Sequence, residues 1–129
     1  MKENRMTHLI EKKLLGYLKL YREFPFRLKS IDLLGYEENK SMIISIELKV
    51  KNWKNAIRQA MLNQTFSNQS YIGVWHKDLT EKCIKMCEKE GIGVIKINNN
   101  GIKIISLSEN SKFLIPSYKD EIIKTLSRS

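Results

Sequence analysis

The chain has little cysteine, little histidine and no long apolar run. Its two cysteines, Cys83 and Cys87, are too few for a disulfide scaffold. They are four residues apart in a segment that reads as helix, so they face the same way. The two histidines, His8 and His76, are far apart, and no structural zinc site is expected. Both cysteines are read as reduced core thiols. No apolar stretch approaches the length of a membrane-spanning helix. The opening Met1-Lys2-Glu3-Asn4-Arg5 leads into a charged amphipathic stretch and not a signal core, which implies a cytoplasmic protein with no membrane partner. Repeats, low-complexity blocks and linkers are also missing.

Acidic residues are in deficit: 14 against 23 basic ones, a net charge of +9 with a pI near 9.6. Such a balance on a small domain favours a polyanionic partner, nucleic acid above all. With 129 residues, 42% hydrophobic and 29% charged, the chain suits one globular domain, its core spanning about residues 6–107.

Residues Met6 to Arg22 carry apolar side chains at helical spacing (Met6, Ile10, Leu14, Tyr17, Leu18, Tyr21), and Pro25 ends that pattern. The piece from Phe24 to Lys29 suits an edge strand, where proline is tolerated. Ser30–Tyr36 and Ser41–Val50 read as strands joined by the polar turn Glu37–Lys40, an antiparallel hairpin. In the second strand Met42, Ile44, Ile46, Leu48 and Val50 share one face, whereas Glu47 and Lys49 share the other. Asn52 is positioned to cap a helix to about Phe66, with Trp53, Ala56, Ile57, Ala60 and Met61 as its inner stripe and Arg58, Gln59 and Asn63 off it. Ser70–His76 is a third strand, in which Tyr71 and Trp75 suit the core. Asp78 and Glu81 suit a capping box for a helix ending at Gly91. Ile92–Ile97 and Ile102–Leu107 flank an Asn-Gly turn, and 117–126 suits a short terminal helix. This order predicts an α/β fold, a mixed sheet with helices on both faces.

Charged side chains inside otherwise apolar strands need partners, a metal or a function. Asp32 in one strand and Glu47-Leu48-Lys49 in the next would supply two carboxylates, a backbone carbonyl at Leu48 and an ammonium group. Mg2+ uses such hard oxygens, and phosphodiester hydrolysis needs a metal, an activated water and stabilisation of developing charge.

These residues, with the helix before the hairpin and the helix and strand after it, resemble the PD-(D/E)xK nuclease superfamily and its restriction-endonuclease-like fold. The likeness is to the small stand-alone, Holliday-junction-resolvase-like members and covers roughly Met6 to Ile105. It implies Asp32 and Glu47 as ligands of Mg2+ or Mn2+, Lys49 as the catalytic lysine, and DNA endonuclease activity. RNA is not excluded as a substrate, and a homodimer would fit duplex cleavage. A helix glutamate is often added; Glu11 is the candidate, with Glu3 and Glu23 behind it. A glutamine in the following helix matches Gln59, with Gln64 as competitor. Ile31 stands where the family name has proline. Lys51, Lys54, Arg58, Lys12 and Lys13 are candidate phosphate contacts. Two other readings remain open: a nucleic-acid-binding module without chemistry, and an interaction domain of a larger DNA-processing assembly that docks through its C-terminal helix.

Overall fold

A computed structural model describes residues 3–49 and 51–128. Its elements are α1 (Glu3–Leu14), β1 (Lys19–Phe26), β2 (Lys29–Glu37), a 3-10 turn (Glu38–Lys40), β3 (Met42–Lys49), α2 (Trp53–Asn63), β4 (Gln69–Trp75), α3 (Glu81–Lys89), β5 (Gly93–Asn98), β6 (Gly101–Ser106) and α4 (Pro116–Ser127). The strands form one six-stranded sheet in the order β1-β2-β3-β4-β5-β6. Both end hairpins are antiparallel, and β3, β4 and β5 are mutually parallel. Two crossovers of the same hand along a sheet that advances steadily put α2 and α3 on one face. The α1 helix covers the other face. This is the mixed α/β architecture that the element order predicts.

Each face buries its own core. Met6, Leu9 and Ile10 of α1 pack on Leu33, Ile46, Leu48, Tyr71, Trp75, Ile95 and Ile97. On the opposite face Ala56, Ile57 and Ala60 of α2 and the thiols Cys83 and Cys87 of α3 pack on Ile72, Val74, Ile92 and Val94. A third cluster joins Phe24, Phe26, Ile31, Leu34, Ile43 and Phe66 to Ile122 and Leu126 of α4. The C-terminal helix is thereby bound to its own domain through its apolar stripe, which removes that stripe as a docking element. The face carrying Glu47 is a core face that also buries polar groups, the Ser45–Ser70 hydroxyl pair as well as Glu47 and Asn63.

Several boundaries differ from the sequence expectation. The first helix stops at Leu14, and Lys19–Phe26 is a strand instead of more helix. Tyr21 is therefore packed from β1, and Tyr17 is exposed. The 3.6-residue spacing that continued past Leu14 was overridden by pairing with β2, since a tertiary partner outweighs weak local preference. Asn52 precedes α2 in a left-handed conformation, φ 60°, with no side-chain cap. Thr80, not Asp78, caps α3, its hydroxyl accepting from the Cys83 N–H at 3.2 Å. Gly91, at φ 73°, lies just beyond α3 as expected of a helix stop. Val50, assigned above to the second strand, lies outside the described residues.

Candidate active site

Strands β2 and β3 stay paired from Glu37 opposite Met42 to Leu33 opposite Ile46, and then separate. The same point is irregular on the other side of β2. Pairing with β1 is interrupted between Arg22–Leu33 and Phe24–Ile31, and the skipped Glu23 has φ 48°. Ile31 and Leu34, three residues apart, belong to one core cluster, so the strict alternation of a strand is broken between them. Asp32 sits at that break. Its Oδ2 accepts from the Leu48 N–H at 2.8 Å, a donor that the separated β2 backbone leaves to be satisfied. The N–H and C=O of one strand residue point to the same side, so the Leu48 carbonyl faces the same gap.

Glu47 is next to this gap, on the α2 face, and has 0% exposure. Its Oε2 accepts from Asn63 Nδ2 at 2.8 Å, and Lys29 Nζ lies 3.5 Å from the same oxygen. Its Oε1 is buried without a hydrogen-bond partner, as is Asn63 Oδ1. Burial therefore pushes the Glu47 carboxyl up to about 7. The Asn63 amide pulls it down, the Asp32 charge pushes it up, and Lys29 pulls it down.

Among the described residues no group of three or more His, Cys, Asp or Glu side chains is placed to hold a metal ion; the acids here number two, Asp32 bonded to the Leu48 N–H and its charge felt by Glu47. A pair fits Mg2+ or Mn2+, which commonly take one or two carboxylates and fill the remaining positions with water and substrate phosphate. The partnerless Oε1 of Glu47 is a hard oxygen in need of a positive neighbour, and the raised carboxyl pKa has the same origin. The donor set is thus compatible with a divalent cation held by Asp32, Glu47 and the Leu48 carbonyl. Lys49 is half-buried and shares the Glu47 face by strand parity.

Other sequence candidates fall elsewhere. Glu11 is on α1, which covers the opposite face of the sheet, and is engaged by the Arg22 guanidinium. It is not brought to Glu47. Glu23 accepts from the Ser30 hydroxyl at 3.2 Å, and Glu3 is exposed at the start of α1. Gln59 is half-buried one turn before Asn63 on the same side of α2. Gln64 is used structurally, donating to the Glu90 carbonyl at 2.8 Å. Lys51 is exposed beyond β3. Lys54 and Arg58 line a groove with Ile57, Met61, Met86 and Lys89, across α2 from Asn63. Lys12 and Lys13 belong to the α1 side. Lys54, Arg58, Lys12 and Lys13 thus lie away from the acids, because adjacency in sequence does not set the side of a helix.

Two residues that contact Glu47 were not anticipated from the sequence. Asn63 reads in sequence as an off-stripe helix residue, yet it is fully buried. Lys29 reads as the end of an edge strand. The only sequence signal for Asn63 is its i, i+4 relation to Gln59. For Lys29 there is none, because its approach to Glu47 depends on where β2 leaves β3.

The Asn63 bond has a measurable consequence. Asn63→Ala is expected to cost about 1–3 kcal/mol at pH 8, where it leaves a buried charged acceptor without its donor. The cost should shrink at pH 5, where the carboxyl is protonated. Urea unfolding at both pH values measures this; an equal loss at both would mean that the amide does not serve the charge.

The fold is an α/β one, a six-stranded mixed sheet flanked by helices. No family model and no curated protein matches the chain. Among solved structures it is similar to a protein of unknown function from Silicibacter pomeroyi, with TM-score 0.75 and 16% identity over 99% of this chain and 85% of that one. It is also similar to a repair endonuclease from Pyrococcus abyssi, with TM-score 0.57 and 25% identity over 76% of this chain and 47% of the other. EndoMS in a complex with double-stranded DNA matches at TM-score 0.57 and 23% identity, over 75% and 44%. The chain spans slightly less than half the length of these two endonucleases. No helix among the described residues is long and apolar enough to cross a membrane.

Proposed function

We propose that this chain is a metal-dependent nuclease, an endonuclease that hydrolyses phosphodiester bonds in DNA with Mg2+ or Mn2+. The observation that carries the reading is that Asp32 bonds the Leu48 N–H, next to Glu47 in the chain, where β2 and β3 separate, with one Glu47 oxygen buried and unpartnered. Asp32, Glu47 and the Leu48 carbonyl would hold the cation. Bound there, it would screen and polarise the phosphate and make a water nucleophilic at neutral pH. Asp32 is oriented by its bond to the Leu48 N–H, and Glu47 by Asn63. Lys49, two residues beyond Glu47 on the same face, would hold the attacking water or stabilise charge building on the phosphate. Gln59, one turn from Asn63, is available to the same chemistry. The likeness of the fold to repair endonucleases supports the reading.

A second reading is favoured by one feature. Asn63 and Lys29 already satisfy one Glu47 oxygen without a metal, as a nucleic-acid-binding module without chemistry would require. The two separate in a cleavage assay on plasmid and oligonucleotide DNA, with RNA in parallel, in Mg2+, Mn2+ and EDTA. The nuclease reading expects cutting with metal, and a loss of about a hundredfold or more in Lys49→Ala, the scale of removing one charge-stabilising donor. Binding that falls steeply with salt, with no cutting in either metal, selects the module.

A further inference from the structure

We propose that the cleft between α1 and the β5–β6 turn is a second, non-catalytic site that binds nucleotide phosphate, on the face of the sheet opposite Glu47. The cleft has a volume of about 370 Å3. That is room for roughly a dozen waters at about 30 Å3 each, within the usual size of ligand sites. Its α1 wall presents Arg5, His8, Lys12 and Lys13, and its other wall presents Asn99 and Asn100. Arg5, His8 and Lys12 follow one another at i, i+3 and i+7, so they project from one side of the helix.

Charge sets the character of this wall. Arg5, Lys12 and Lys13 have no salt-bridge partner among the described residues, and no Asp or Glu lines the cleft. Glu11, beside Lys12 in sequence, is engaged by Arg22 on the β1 side and acts on His8 through a weaker charge interaction. Arg5, Lys12 and Lys13 therefore meet in a concave space with no acid among its lining residues, which focuses a positive potential there.

The remaining walls suit a nucleotide better than a bare anion. Leu9 and Ile102 contribute apolar surface beside the cations. The turn is held in shape by the Asn100 N–H donating to Asn98 Oδ1 at 2.8 Å. Exposed side-chain amides at Asn99 and Asn100 offer both donors and acceptors. Phosphate on Arg5, Lys12 and Lys13, with the sugar or base toward the turn, uses every wall. The ligand is either a segment of a nucleic-acid strand or a free nucleotide. The site does not depend on cleavage at Glu47, so a chain that cuts nothing would still possess it.

The test is binding in EDTA, where no metal-dependent cutting occurs. A fluorescein-labelled oligonucleotide and a fluorescent ATP analogue are titrated by anisotropy into three proteins. These are the unaltered chain, the triple variant Arg5→Gln, Lys12→Gln, Lys13→Gln, and a control with the same charge loss, Lys82→Gln, Lys85→Gln, Lys112→Gln. All six positions are exposed, and glutamine is a good helix former, so the fold is retained. The cleft variant is expected to bind the oligonucleotide about tenfold or more weakly, with a log–log salt slope smaller by about 2 to 3. The control should change by less than about twofold, since its contacts would be at most generic. A loss specific to the cleft variant with the ATP analogue alone identifies free nucleotide as the ligand. Equal losses in both variants, or none in either, overturn the site.

Discussion

Replacing Glu47 with glutamine is expected to lower metal-dependent DNA cleavage by about two to three orders of magnitude, the rate equivalent of about 3–4 kcal/mol. The change is nearly isosteric. It keeps an oxygen to accept from Asn63 Nδ2, and the core around it is undisturbed. It removes the negative charge that, on the proposed mechanism, helps hold the cation. The fold should not suffer. At pH 8 the ionised Glu47 is a buried carboxylate with only a partial counter-charge from Lys29 at 3.5 Å, and its Oε1 is unpaired. A neutral amide avoids that cost, so Glu47→Gln should be at least as stable as the unaltered chain in metal-free buffer. Single-turnover cleavage and urea unfolding on the same preparations decide it. Undiminished cutting in a folded Glu47→Gln protein would remove Glu47 from the site. Loss of folding along with cutting would make its role structural.

Without divalent metal, stability is expected to fall by about 3 kcal/mol between pH 4.5 and pH 7 and then to level off. The folded-state value for Glu47 is raised to about 7 from an ordinary 4.5. Between those values the folded chain holds a proton that the unfolded chain has released, so the unfolded state binds fewer protons and stability declines as pH rises. Below the window both states are protonated, and above it both are ionised, with the penalty fully developed. Each pKa unit corresponds to about 1.4 kcal/mol, which sets the total. Other carboxylates act in the opposite sense: Glu11 and Glu38, held low by Arg22 and Lys19, matter only below their ordinary range. Glu47→Gln should flatten the profile, which isolates this group from the rest. Mn2+ or Mg2+ added at pH 8 should restore stability by RT ln(1 + c/Kd), where c is the metal concentration, rising with the logarithm of c above Kd. A flat profile in the unaltered chain would mean that water or Lys29 already solvates the carboxylate. A profile that declines but does not respond to metal would favour the binding-module reading.

Much of this architecture was legible in the chain. Alternation in Met42–Lys49 separates Leu48 from Glu47 and Lys49, and the structure keeps that separation: Leu48 packs under α1, whereas Glu47 meets α2. The turn Glu37–Lys40 joins the two strands as expected, and the Asn-Gly turn joins β5 to β6. What misled was periodicity without a partner. Tyr17, Leu18 and Tyr21 continue a helical spacing, but the backbone at 19–26 is taken by β2. Asp78 is a competent cap, yet Thr80 stands where the backbone needs one. Lys54 and Arg58 follow closely on Glu47, but the helix turns them toward α3.

The amino-acid order alone determined the strand parity of Glu47 and Lys49, the mixed sheet and the excess of positive charge. These depend on spacing and composition, which do not need distant partners. Only the tertiary structure decided where β2 leaves β3, and with it the sideways reach of Asp32 to the Leu48 N–H. It also decided that Asn63 and Lys29 attend Glu47, and that Arg5, Lys12 and Lys13 open onto the opposite face. These are encounters between residues far apart in the chain, set by strand separation and helix rotation. It is the fold, too, that buried one of the two acids and left one of its oxygens without a hydrogen-bond partner.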